Sequence, residues 1–285
     1  LCRKHPDCEF HAFTNGTLID DDFCQEVVKV AISASPSASK ASAKSMTAAA
    51  ALASSTGSCM PWTCCASTAS SSDVDLLHPQ NIQTVTSDKF LDLLISKGAW
   101  FTWYFHYMPV GNDASIDLLP TPEQRAYMVR RIREIRSVKG GKRYSPSTSR
   151  NDGQFIDGCV AGGRNYCHIN LNGDVEPCVF IHYSSANIND QDHPLLQQPL
   201  FQEYAKGQPF NHNHLRPCPM LENPQALIDM VKRTGAKSTD MQSPESVEHL
   251  CAKCQAYAKH WQPAADKLWT DIIQADKKQT EQEIS

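Results

Sequence analysis

The sequence predicts an α/β chain: a parallel sheet covered by helices, then a small α+β domain rich in cysteine. Two observations carry this expectation. Over residues 84–138 a capped helix, a strongly aromatic strand and a second capped helix follow one another, the order that builds a parallel sheet. Over residues 159–254 cysteines punctuate a segment with a hairpin signal and a Cys-x-x-Cys pair. A third observation interrupts the pattern: residues 33–72 hold 13 Ser, 11 Ala and 4 Thr, with no acidic residue and no sustained apolar period.

Residues 9–14 alternate weakly and run into Asn15-Gly16, a natural strand end. A helix capped by Asp20 or Asp21 should follow, with Phe23, Val27, Val28 and Val30 on its apolar face. The Ser/Ala tract cannot bury enough surface to offset its ordering entropy. It is therefore expected to be disordered or the product of a shifted reading frame, and Cys59, Cys64 and Cys65 are read as incidental. Ser87 caps a helix through Phe90, Leu91, Leu94 and Ile95 that stops at Lys97-Gly98. The strand 100–108 is apolar and aromatic on both faces, as in a buried parallel sheet. Thr121-Pro122-Glu123-Gln124 reads as a capping box with proline in the first turn. Along that helix Met128, Ile132 and Ile135 face inward, while Arg125, Arg130, Arg131, Arg133 and Arg136 form a solvated face.

A polar junction over 142–157 leads into the second domain. Residues 166–171 alternate, and Asn172-Gly173 signals a two-residue turn with positive φ at both positions. A second strand then runs through Pro177-Cys178 and on to Ile181, which brings Cys159 and Cys178 to neighbouring hairpin ends. Cys167 is read as core, and residues 182–192 as a polar loop. A short helix spans 201–206, and Asn223-Pro224 starts another with Leu227, Ile228 and Val231 inward and Gly235 at its end. Ser243 and Pro244 open a helix in which Val247, Leu250, Cys251, Cys254, Ala258 and Trp261 share a face. From Pro263 the tail is amphipathic, then charged. His212 and His214 are read as surface residues. Thiolates at Cys159, Cys178, Cys218, Cys251 and Cys254 suit an iron-sulfur cluster or a zinc ion.

The 285 residues suffice for one large or two modest domains. A formal net charge of -4 gives no basic footprint, so nucleic acid is not an expected partner. No apolar run reaches the length of a membrane span, so no membrane association is expected. The start, Leu1-Cys2-Arg3-Lys4, lacks the apolar core of a signal peptide. Twelve cysteines fall below the density of a disulfide-stapled secreted scaffold, so a reducing, cytoplasmic location is expected.

Cys159, Gly173-x4-Cys178, Cys218 and Cys251-x2-Cys254 resemble the SPASM or twitch extension of radical SAM enzymes, which binds auxiliary iron-sulfur clusters. Phe13-Thr14-Asn15-Gly16-Thr17-Leu18-Ile19, Trp103-Tyr104-Phe105-His106-Tyr107-Met108-Pro109-Val110-Gly111 and Thr121-Pro122-Glu123-Gln124-Arg125 look like successive landmarks of a radical SAM barrel. The resemblance implies a partial radical SAM (TIM-like) βα barrel with its first strand and helix in 1–32 and its remainder in 79–145, interrupted by the low-complexity 33–78. A SPASM/twitch-like iron-sulfur domain over 150–262 and a C-terminal helix and tail over 263–285 complete the arrangement.

The resemblance further implies S-adenosylmethionine near Thr14, Asn15 and Gly16, and near His106, Met108 and Gly111 at a strand's C-terminal end. An auxiliary 4Fe-4S cluster would use Cys159, Cys178, Cys218 and Cys254, with Cys251 as the alternative fourth ligand or a ligand of a second centre. A catalytic 4Fe-4S cluster belongs to the full-length family, and an electron-donor protein is the implied partner; the substrate is not legible. The catalytic Cys-x3-Cys-x2-Cys motif is absent here, and the resemblance would place it before Leu1. As it stands the chain is expected to be an inactive fragment of such an enzyme. Two other readings stay open: a non-enzymatic iron-sulfur electron relay and a zinc-stapled structural or interaction domain.

Overall fold

The computed structural model describes residues 2–5, 7–8, 10–14, 22, 25–26, 29, 32–36, 72–96, 99, 101–137, 144–148, 151–190 and 194–284. It divides into two compact units, one of Leu1–Tyr107 and Tyr127–Ser149, the other of Met108–Ala126 and Arg150–Ser285.

In the first unit β1 (Phe10–Thr14) and β2 (Ile32–Pro36) pair in parallel. β3 (Ser72–Leu77), β4 (Phe101–His106) and β5 (Ser145–Thr148) form a second parallel sheet in that order. Every strand pair here is parallel, as an α/β architecture requires, and no closed barrel is formed among the described residues. The Ser/Ala tract thus starts and ends in strand. Ladder hydrogen bonds are made by the main chain, so polar composition alone does not forbid pairing. The middle of the tract, with Cys59, Cys64 and Cys65, lies outside the described residues, as do Asn15, Gly16 and the expected caps Asp20 and Asp21.

Two short helices, α1 (Ile82–Val85) and α2 (Asp88–Ser96), connect β3 to β4. The Ser87 hydroxyl caps α2 by accepting the Phe90 amide at 3.3 Å. Strand β4 corrects the expectation of two equally buried faces: Thr102, Tyr104 and His106 are buried, whereas Phe101, Trp103 and Phe105 are half-buried. Those three rings stack edge to face along their own strand, at centroid distances of 5.5 and 5.9 Å. Tyr104 fills the inner side with Leu77, Ile82, Val85, Leu91, Met128 and Ile132, and its hydroxyl donates to the Val85 carbonyl at 2.8 Å. The capping box of α3 (Pro122–Arg136) forms as expected: the Thr121 amide donates to Gln124 Oε1 at 2.9 Å, and the Gln124 amide to Thr121 Oγ1 at 3.3 Å.

The second unit carries the cysteines. Its hairpin consists of β6 (His168–Ile169) and β7 (Val175–Glu176). The turn between them is longer than the two residues expected. The Asn170 amide donates to the Asp174 carbonyl at 3.1 Å, the Gly173 amide to the Asn170 carbonyl at 3.0 Å, and only Gly173 takes positive φ, at 87°. Asn170 sets this geometry, because its side-chain oxygen accepts the amides of Asn172 and Asp174 and ties down a three-residue loop closed by glycine. After β7 the strand does not continue to Ile181. The chain reverses at once, with the Ile181 amide donating to the Cys178 carbonyl at 3.0 Å, and then forms β8 (Tyr183–Ser184), which pairs with β9 (Lys237–Ser238).

Helices α4 (Pro199–Gly207), α5 (Pro224–Thr234) and α6 (Val247–Ile284) complete the unit. Gly235 ends α5 in the left-handed region, as its position predicted. Helix α6 begins later than Ser243-Pro244. Ser243 is engaged in another turn, its amide on Asp240 Oδ1, and the Ser246 hydroxyl caps α6 by accepting the His249 amide at 3.2 Å. The helix then runs 38 residues straight through Pro263. A mid-helix proline costs about 3 kcal/mol. Here the apolar stripe continues past it through Ala265, Leu268 and Ile272, all buried, so packing offsets the lost hydrogen bond. Among the described residues no helix is long and apolar enough to cross a membrane.

Candidate metal centre

Cys218 sits in a turn that points main-chain N–H groups at its sulfur. The amides of Met220 and Leu221 both reach Cys218 Sγ at 3.4 Å, and the Cys218 carbonyl accepts the amides of Glu222 and Asn223 at 3.2 and 3.0 Å. Main-chain N–H donors at a sulfur are the usual surroundings of a metal-bound cysteine. Cys218, Cys251 and Cys254 are all buried. Cys251 and Cys254 lie one turn apart on the inner face of α6, where the 3.6-residue period places them. Burial pushes the Cys251 thiol up to about 12, and the neighbouring Cys218 adds to the shift. Two sulfurs within electrostatic reach in a dry site repel as thiolates, and a cation between them would relieve that repulsion.

Cys159 and Cys178 stand at the hairpin side of the unit. Gln208 clamps Cys159 reciprocally: its Oε1 accepts the Cys159 amide at 3.2 Å, and its Nε2 donates to the Cys159 carbonyl at 3.0 Å. Gly162 and Gly163 let the following loop lie against α4, since a Cβ on either would meet the ring of Tyr204 or Phe201 at 2.5 or 2.4 Å. The Phe180 amide donates to Cys178 Sγ at 3.4 Å, a further N–H···S contact. The Tyr166 hydroxyl, pushed up to about 12 by burial and then by Cys178, accepts the Val179 amide at 3.2 Å. Cys167, read as core, is only half-buried, and burial raises its pKa. The structure therefore gives Cys218 and Cys178 each N–H···S contacts and places Cys251 within electrostatic reach of Cys218. Among the described residues no three His, Cys, Asp or Glu side chains stand in an arrangement that could hold a metal ion.

Beside Cys178 lies a polar cluster that the sequence reading missed. The Glu176 carboxylate is wholly buried and receives Nδ1 of His168 at 2.8 Å, Nδ1 of His182 at 3.2 Å, Asn170 Nδ2 at 3.0 Å and the Thr239 hydroxyl. The expected two-residue turn would have set Ile169 opposite Glu176, whereas the longer turn sets His168 there. Arg125 was assigned to the solvated side of α3 and is instead completely buried, paired to Glu222 at 2.6 Å. It precedes Met128 by three residues and Ile132 by seven, which puts it on the apolar stripe.

Of the residues expected near S-adenosylmethionine, Thr14 ends β1 and His106 ends β4 on its buried face. Met108 is buried. Gly111 takes φ 95°; its amide donates to Glu245 Oε2 at 3.1 Å and its carbonyl accepts Lys253 Nζ at 2.6 Å. These bonds fasten the 109–113 loop to the start of α6. His212 is exposed as expected, while His214 is mostly covered and stacks on Trp269 at 5.4 Å.

No protein-family model and no curated protein sequence matches the chain. Similar solved structures include native anSMEcpe with bound AdoMet, at 14% identity and TM-score 0.47, covering 95% of this chain and 79% of that one. Native anSMEcpe with bound AdoMet and Cp18Cys peptide is similar at 13% identity and TM-score 0.45, with coverages of 93% and 76%. At this level of likeness the reading of the site rests on the chain's own residues.

Proposed function

We propose that the cysteine-rich unit holds an auxiliary iron-sulfur centre and that the chain is part of a radical SAM enzyme. The observation that carries the reading is the Cys218 turn: two main-chain N–H groups aimed at one sulfur, in a dry site beside the Cys251 thiol. A structural cysteine needs neither donor, since burial alone satisfies its weakly polar thiol. The residue spacing that resembles a SPASM or twitch extension supplies the rest of the ligand set, Cys159, Cys178 and Cys254. Bound S-adenosylmethionine and a reduced cluster would supply radical chemistry at unactivated positions. The chain's own part is to hold thiolates, exclude water and set the hydrogen bonds that tune the centre's potential.

Reconstitution with iron and sulfide without oxygen tests this. A brown protein with thiolate-to-iron charge-transfer absorption is the expected result. A colourless protein retaining one zinc per chain would replace iron by a zinc-stapled domain.

A further inference from the structure

Within the second unit Arg125 makes a set of contacts that stability does not explain. Its guanidinium is fully buried, and Nη2 lies 2.6 Å from Glu222 Oε1 and 3.0 Å from the Leu215 carbonyl. Nη1 donates to the Tyr257 hydroxyl at 3.3 Å, and the Trp261 ring sits 4.5 Å from the guanidinium carbon. The other oxygen of Glu222 accepts the Cys218 amide at 2.7 Å. The carboxylate thus spans Arg125 on one side and the main chain of Cys218 on the other. Buried ion pairs of this kind are seldom net stabilising, and an apolar pair of similar volume often does as well or better. What an apolar pair would lack is the acceptor for the Cys218 N–H.

We propose that Arg125 and Glu222 are positioning residues for Cys218: the buried pair holds the cysteine main chain so that its sulfur faces the Met220 and Leu221 amides. This rests on the reading of Cys218 and Cys251 as metal ligands. Asn223 works alongside the pair, its Nδ2 donating to the carbonyls of Arg216 at 2.8 Å and Cys218 at 3.0 Å, so the turn is fixed from both ends. The guanidinium's planar donor fork sets the carboxylate's orientation.

The test is an anaerobic Co2+ titration of the full chain, followed by thiolate-to-cobalt charge-transfer absorption, with thermal unfolding measured in parallel. Arg125→Met/Glu222→Leu removes the acceptor and should fold, yet bind Co2+ about tenfold to a hundredfold more weakly, the usual effect of losing an outer-shell partner. Arg125→Gln/Glu222→Gln keeps an oxygen for the Cys218 amide and should restore binding to within about threefold of the original chain, well inside that loss. Equal affinity and spectrum in the Met/Leu variant and the original chain would overturn the positioning role while leaving the metal centre intact. Should the Met/Leu variant not fold, a folded Gln/Gln variant binding more than about tenfold weaker overturns it equally. Absence of the thiolate-cobalt band in the original chain would instead defeat the metal-centre reading on which the inference stands.

Discussion

Replacing Glu176 by glutamine tests how the cysteine hairpin is held. Burial pushes the Glu176 carboxyl up, but hydrogen bonds from His182, Thr239 and His168 outweigh it and hold the pKa at about 2, against an ordinary 4.5. At about 1.36 kcal/mol per unit, that difference corresponds to about 3 kcal/mol of folding free energy. A depressed carboxyl pKa contributes stability that is complete above the unfolded value of 4.5 and lost as pH falls to about 2. The same contact raises His182 above 6.5, so its share is complete below 6.5 and fades as pH climbs through the raised value. Glu176→Gln keeps the shape and removes the charge. Urea unfolding at pH 6 should therefore show a loss of about 2–3 kcal/mol relative to the original chain, narrowing on the alkaline side and closing near pH 2. A loss below about 0.5 kcal/mol at pH 6, the range of an ordinary surface substitution, would refute the reasoning.

Three further outcomes are expected. Arg125→Met alone should destabilise by about 3–5 kcal/mol in denaturant unfolding, because it strands a buried carboxylate, whereas Arg130→Met on the exposed face of α3 should stay within about 0.5 kcal/mol. Gly162→Ala should cost about 2–5 kcal/mol in the same assay, from the strain of positive φ and the contact with the Tyr204 ring; an unchanged midpoint would contradict the packing described. With no metal added, iodoacetamide at pH 7.5 should label exposed Cys8 well before Cys251, whose thiol titrates at about 12; comparable rates by mass spectrometry would contradict the burial of Cys251.

The elements of local origin were legible. The capping box at Thr121–Gln124, the Ser87 cap and the Gly235 stop are each encoded by a few adjacent residues, and the structure shows each. The start of α6 was misread because Ser243-Pro244 has the chemistry of a helix entry, while Asp240 and Asn112 hold Ser243 in a different turn. Ser246 caps the helix instead, by accepting the His249 amide. Pro263 was read as the start of a separate C-terminal helix and tail, whereas the buried stripe from Trp261 to Ile272 is continuous.

At the site, the cysteine spacing was readable but the groups that make cysteine a ligand were not. The N–H···S contacts of Cys218 are main-chain features with no side-chain signature. Glu222 and Glu176 are acidic residues in polar-looking stretches, and their burial follows from partners far along the chain, Arg125 and Thr239. Arg125 alone was misassigned against a visible signal, since helical spacing already placed it beside Met128 and Ile132.

Iron and acid-labile sulfide per chain, measured after anaerobic reconstitution of the original chain, Cys218→Ala and Cys8→Ala, test the central claim most directly. Cys218→Ala should lose most of both and Cys8→Ala neither, because Cys218 alone of the two has a dry site and amide donors at its sulfur. Cys218→Ala retaining the iron and sulfide of the original chain would contradict the account.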